Sequence, residues 1–206
     1  MADEDRPQIY LLTPTSFEPE TFLPKLKAVL DAHDIACIRL CHASKDEAEL
    51  GRIADAMREI AHAKDVALVI DSHIHLVERH GLDGVHLTDG ARTVRHARKE
   101  LGEDAIVGAY CGTQRHDGMN AGEAGADYIC FGPIGESALG TGARAEFDLF
   151  QWWSEVIEVP VVAEGALTIE LVQQFAPVSD WFAFGDEIWK TEDPVATLGT
   201  LIAAMG

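Results

Sequence analysis

The groups of this chain with chemistry to offer are a few acids, imidazoles and thiols, one arginine and a glycine-heavy loop. Glu164 ends the apolar run 159-VPVVAE-164, and a carboxylate in such a place can take a raised pKa and serve as general acid or base. The competing use is an ion pair with Arg39 or Arg144. The stretch 132-GPIGESALGTG-142 carries four glycines and a proline in eleven residues. Such a loop leaves backbone N–H groups unencumbered, as a phosphate cradle requires. Ser137, Thr141 and the N–H groups around Gly140 and Gly142, with Gly132 at the start of the loop, would be the ligands, with Arg144 or Arg39 as counter-charge. The plain alternative is a flexible rim loop.

Asp71, His73, His75 and His86 invite a metal reading, since an HxH at a strand end is one way to hold a divalent ion. Against it, two residues two positions apart on a helix do not face each other. His75 then reads as a helix-face residue, and His86 as a hydrogen-bonded strand histidine. Cys41 and Cys111 would be nucleophiles only beside a cation, and the sequence places no evident one near either. Without a CxxC pair, the four cysteines read as reduced thiols, with no disulfide and no structural zinc.

These residues need elements to position them. Apolar runs recur at 8–13, 35–41, 67–72, 84–88, 105–111, 128–132, 159–165 and 180–186, several without the alternation of a half-wet sheet, as befits parallel strands covered on both faces. Helical patterns separate them. Ser44 and Glu47 fit a capping box before Leu50, Ile53, Ala54, Met57 and Ile60. Thr168 can cap the helix of Ile169, Leu171, Val172 and Phe175. Asp193-Pro194 opens a last helix, and Val94, Ala97 and Leu101 form one that Gly102 ends. Weaker patterns follow Phe22, His73, Gln114 and Asp148. Strand and helix in turn, eight times over 206 residues, predict one α/β domain, 1–206, folded as a (β/α)8 TIM barrel. No GxGxxG favours the open doubly wound alternative, and no obvious internal repeat divides the chain. Chemistry then belongs at the strand C-terminal ends: Thr13; Arg39, Cys41 and His42; Asp71 to His73; His86 and Asp89; Tyr110 and Cys111; the glycine loop; Glu164 and Gly165; Asp186 and Glu187.

Several of these motifs also carry a family resemblance. Through IYLLT, IACIRLC, DSHIHLVERHGLDGVHL, IVGAYC, GADYICFGPI and VPVVAEGAL the chain resembles, along most of its length, the thiamine-phosphate synthase and thiazole tautomerase (TenI-like) barrels, with GLDGVHL and GADYICFGP in the family's order and spacing. The resemblance implies the barrel, a place in thiamine biosynthesis, a phosphorylated thiazole or pyrimidine as small-molecule substrate, and Mg²⁺. It makes Arg39 a pyrophosphate ligand, with Cys41 where the family has lysine. It makes Asp71 a magnesium ligand if Asp71-Ser72 is read one residue out of ungapped register. The second magnesium aspartate falls near Ala91, with Asp89 close by. The family's pyrophosphate loop corresponds to Ser137–Gly140, followed by Thr141 and Arg144. Its phosphate-holding glycine pair reads Glu164-Gly165-Ala166-Leu167, its fifth-strand serine aligns with Tyr110, and the tautomerase histidine falls near Gly112, with His116 the nearest imidazole.

Three readings stay open: a synthase or isomerase of thiamine metabolism, a non-catalytic relative that binds a precursor or partner, and a small metal-dependent hydrolase at Asp71 and His73. The missing lysines weigh against full synthase activity, because departing pyrophosphate develops negative charge that cations stabilise. A net charge of −19 argues against nucleic acid or an anionic membrane as partner. No apolar run approaches the roughly 20 residues of a membrane span, and the polar start is unlike a signal peptide, so a cytoplasmic protein is expected. Trp152 and Trp153 suit core packing or the interface of a homodimer.

Overall fold

The computed structural model describes residues 6–136 and 142–206. Eight parallel strands, β1 (Gln8–Leu12), β2 (Cys37–Leu40), β3 (Ala67–Asp71), β4 (Gly84–Leu87), β5 (Ile106–Tyr110), β6 (Tyr128–Phe131), β7 (Val161–Glu164) and β8 (Trp181–Phe184), close into a barrel in chain order, with β8 paired to β1. One helix follows each of the first seven: α1 (Pro19–Ala32), α2 (Glu47–His62), α3 (Ile74–His80), α4 (Val94–Leu101), α5 (Arg115–Glu123), α6 (Phe147–Val156) and α7 (Ile169–Phe175). Two, α8 (Asp186–Trp189) and α9 (Pro194–Ala203), follow β8. This is the (β/α)8 barrel that the alternation predicts. No described helix is long and apolar enough to cross a membrane.

The strands lack simple alternation because both of their faces are covered. Ile9, Leu11, Ile38, Leu40, Leu68, Ile70, Val85, Val107, Ile129 and Phe182 pack outward with the buried helix faces in one large core. Tyr10, Cys37, Val69, Tyr128, Cys130, Val162 and Ala183 form a second, separate cluster inside the barrel. Two tyrosines, two thiols and an alanine here outnumber the two valines, where branched aliphatics usually dominate such an interior.

Helix starts follow local chemistry. Thr168 accepts from the Leu171 N–H at 3.3 Å, and Asp193 from the Ala196 N–H at 3.0 Å. At α2 the cap is Asp46, not Ser44. The Asp46 carboxylate takes the Ala48 and Glu49 N–H groups, while Ser44 bonds the Glu49 carboxylate and accepts from the Asp46 N–H. The ionised group prevails at the site of orphan donors.

A fourfold pattern also emerges that the sequence reading missed. Asp83, Asp127 and Asp180 stand just before β4, β6 and β8. Each sends its N–H to a carbonyl of the preceding strand and takes the N–H of that same residue on its carboxylate: Leu68 at 2.7 Å, Val107 at 2.7 Å and Val161 at 2.8 Å. Ala36 holds the equivalent place before β2 and donates to the Ile9 carbonyl, with no side chain to close the ring. Asp127 also meets Arg98 Nη2 at 2.6 Å. Asp127→Ala therefore loses the partner of a strand-end N–H and of a guanidinium, and is expected to lower stability by about 1–2 kcal/mol, read as a lower urea midpoint at unchanged slope.

Candidate active site

Strand alternation aims Arg39, Asp71, His86, Tyr110, Cys130 and Glu164 inward, toward the C-terminal mouth. Arg39 is the hub, only 7% exposed. Its Nη1 donates to Glu164 Oε2 at 3.1 Å and to His86 Nε2 at 2.7 Å. Its Nε lies 3.3 Å from Asp71 Oδ1 and donates to Cys41 Sγ at 3.3 Å. Because that N–H is spent on sulfur, the Asp71 contact is an ion pair without a hydrogen bond, and Asp71 Oδ1 is buried with no hydrogen-bond partner.

Burial raises the Asp71 pKa, the neighbouring Glu164 adds to the rise, and Arg39 opposes it. Burial works against the Arg39 charge too, but Glu164 and its other neighbours hold the guanidinium protonated. Burial, then Arg39, drives His86 well below the ordinary histidine value. Cys41 does have a cation beside it, contrary to the expectation. Burial still outweighs Arg39 and pushes the thiol up to about 12, and burial does the same to Cys111, so both are poor nucleophiles at neutral pH.

A cavity of about 620 Å³ is lined by Glu164, the ion-pair partner of Arg39, together with Tyr110, Pro133, Glu136, Gly165, Ala166, Asp186 and Glu187. Its charged lining is entirely acidic. Gly165 sits at φ +91°, where a Cβ would also strike Pro133, so the segments after β6 and β7 can zip together through Ile134 N–H to Glu164 O and Gly135 N–H to Gly165 O. Glu187 holds the Leu167 N–H at 3.1 Å and the Gly185 N–H at 2.8 Å. These are donors of the loops after β7 and β8, where barrels of this kind often seat a phosphate.

The structure thus gathers Arg39, Asp71 and Glu164 in one cluster, with Tyr110 and Gly165 at its rim. It separates other predicted ligands from it. The Gly132 N–H is not free, because it donates to the Gly112 carbonyl at 3.0 Å. Tyr110 donates its hydroxyl to the Gly132 carbonyl at 2.6 Å. Arg144 is exposed and pairs with Glu136 at 3.6 Å, not with Glu164. Ser137, Gly140 and Thr141 lie outside the described residues. Asp89 is exposed and accepts from the Thr93 hydroxyl. His116 is exposed on α5 beside Asn120 and does not line the mouth cavity.

The HxH pair is spent locally. His73 donates to the Asp71 carbonyl at 2.6 Å, and His75 bonds Glu47 at 2.9 Å. Among the described residues, no three His, Cys, Asp or Glu side chains are grouped to hold a metal ion. Trp153 is buried in the core and bonds the Val159 carbonyl, while Trp152 lies under the Arg115 guanidinium at 3.9 Å.

Beneath the mouth, Tyr128 crosses β5 at Gly108, where any Cβ would land on its ring and hydroxyl. Sequence reading missed this layer, although glycine inside a strand signals a close approach. Gly108→Ala is expected to displace Tyr128 and cost about 1–3 kcal/mol by overpacking, seen as a lower melting temperature with altered tyrosine near-ultraviolet circular dichroism.

The fold and this mouth define a (β/α)8 barrel protein whose ionisable cluster stands where such barrels carry out chemistry. The chain belongs to the thiamine monophosphate synthase family, whose model matches residues 9–179. It is 40% identical over 190 residues to a thiamine-phosphate synthase of Rhodospirillum centenum, covering 89% of both chains. It is 34% identical to one of Erythrobacter litoralis, covering 95% of both. A thiamine phosphate pyrophosphorylase structure from Pyrococcus furiosus superposes with a TM-score of 0.82 at 18% identity, over 96% of this chain and 95% of that one, a likeness of fold.

Proposed function

We propose that this chain is a thiamine-phosphate synthase of thiamine biosynthesis, replacing the pyrophosphate of a pyrimidine precursor with a thiazole phosphate. One observation carries the reading: Arg39, in a chain of this family, is buried at the mouth with its charge shared between Asp71 and Glu164. When the bond from carbon to pyrophosphate breaks, the electron pair leaves with the pyrophosphate, and Arg39 is positioned to stabilise the charge that develops. Family synthases of 40% and 34% identity, aligned over nearly the whole chain, lend the non-catalytic alternative no support.

Asp71 would hold a Mg²⁺ ion. Its Oδ1, 3.3 Å from Arg39 Nε but without a hydrogen bond, would be the oxygen offered to the ion, since Mg²⁺ is commonly held by one or two carboxylates together with substrate phosphates. When bound, Mg²⁺ would neutralise charge on the leaving pyrophosphate. The anionic substrate has to enter an acidic rim, and its phosphate end competes with Glu187 for the Leu167 and Gly185 N–H groups. Tyr110 and Gly165 shape the wall it meets.

Purified protein given the pyrimidine pyrophosphate, hydroxyethylthiazole phosphate and Mg²⁺ should release pyrophosphate and form thiamine phosphate in equal amounts. Each substrate alone should raise the melting temperature, since a ligand at a hundredfold excess over its Kd stabilises by about 2.7 kcal/mol. Absence of turnover together with absence of a melting shift for either substrate would overturn the reading.

A further inference from the structure

A hydrogen-bonded chain descends from the mouth into the barrel, and the proposed chemistry uses only its upper end. Arg39 Nη1 lies 2.7 Å from His86 Nε2, His86 Nδ1 lies 3.0 Å from the Tyr128 hydroxyl, and that hydroxyl lies 2.6 Å from the Tyr10 hydroxyl. All four side chains are buried.

The guanidinium sets the direction of the chain as far as Tyr128. It has only N–H groups to offer, so His86 Nε2 must accept. A ring that accepts at Nε2 carries its one proton at Nδ1 and donates it to the Tyr128 oxygen. The Tyr128 oxygen shares its second hydrogen bond with the Tyr10 hydroxyl, and either oxygen of that pair can donate. A doubly protonated ring would set N–H against N–H across 2.7 Å.

The position of His86 matters because Arg39 faces two carboxylates. Asp71 and Glu164 would draw the guanidinium wholly to themselves if nothing held it on the β4 side. An uncharged acceptor there tethers it without adding negative charge, whereas a third carboxylate beside Asp71 and Glu164 would add repulsion against the incoming anion. We propose that His86, oriented by Tyr128 and Tyr10 and protonated at Nδ1, is the positioning residue that holds the Arg39 guanidinium across the barrel mouth for the anionic end of the substrate. The proposal rests on the reading that Arg39 receives pyrophosphate.

Nitrogen-15 NMR of the histidine-labelled protein at neutral pH should find the His86 ring protonated at Nδ1. Calorimetry with Mg²⁺ and inorganic pyrophosphate should show His86→Leu weakened about tenfold or more, the loss expected when a hydrogen bond to a charged group goes. His86→Gln, whose side-chain carbonyl can accept from Arg39, should restore affinity to within about threefold of the unaltered protein on the same grounds. A His86 ring protonated at Nε2, or pyrophosphate affinity unchanged in H86L, would overturn the proposal. The ring tautomer needs no variant, so the test survives a failure of H86L to fold. Absence of pyrophosphate binding by the unaltered protein would instead count against the functional reading, and the tautomer would then decide the positioning alone.

Discussion

Arg39→Met should both destabilise the barrel and abolish most of its activity. The side chains of the Arg39–Glu164 pair are only 9% and 12% exposed, and removing one partner of a buried pair costs about 3–5 kcal/mol, because the other charge is left without compensation. Here two carboxylates are stranded. Against a typical net stability of about 5–15 kcal/mol, that loss leaves a protein near its limit. The deficit should depend on pH. Burial already raises Asp71, with Arg39 opposing, so removing the arginine raises it further. A carboxyl whose folded pKa lies above its unfolded value favours the fold while protonated and loses that advantage as pH rises through the folded value. The variant should therefore be closest to the unaltered protein near pH 5 and furthest below it near pH 8, as urea midpoints at the two pH values would show. Turnover should fall by about 10²–10³, as when one preorganised charge-stabilising donor is removed. Lysine is a poor substitute, because a point charge cannot serve Glu164, His86 and Cys41 at once. Equal midpoints for R39M and the unaltered protein at pH 8 would sink the argument.

The barrel was legible because its signals are local and repeated. Each apolar run has a helical pattern behind it, and caps such as Thr168 and Asp193 act within a single turn. Arg39, Asp71 and Glu164 could be picked out as strand-end residues, and pairing Glu164 with Arg39 was one of two stated possibilities. The partner of Arg144 was not legible, since no periodicity of the sequence brings Glu136 to it. Gly132 misled for a related reason: a glycine advertises a free N–H, but Gly112 across the mouth takes it. The capping box at Ser44 matched a pattern, yet Asp46 two residues on is the stronger acceptor. His86, Tyr128 and Tyr10 each looked like an ordinary strand residue. Only barrel closure brings β1, β4 and β6 within hydrogen-bond reach of one another. The aspartates at 83, 127 and 180 were visible as D before G, Y and W, and noticing that they share one place in alternate βα units would have revealed the fourfold pattern.

Asp71→Asn should move stability and activity in opposite directions. The carboxyl of Asp71 is buried with one oxygen unbonded, and burial, with Glu164 adding to it, raises its pKa while Arg39 pulls the other way. Folded above unfolded means that the stabilising contribution exists below the unfolded value, about 3.9, and is lost as pH rises through the folded one. At neutral pH the ionised group is thus a burden on the fold. Asparagine has nearly the same shape and no charge to desolvate, and Arg39 keeps Glu164 as its counter-ion. D71N should melt higher than the unaltered protein at pH 7–8, by about 2–4 °C for each kcal/mol relieved, with the gap closing toward pH 4. Activity should drop by about 10² or more, because the site loses the carboxylate that would hold Mg²⁺ against the departing pyrophosphate. The activity remaining should need more Mg²⁺ for half-saturation. A D71N protein that melts lower at pH 8 would show that Asp71 is there to balance Arg39, whereas one that melts higher while failing in turnover locates in this carboxylate a stability cost retained for catalysis.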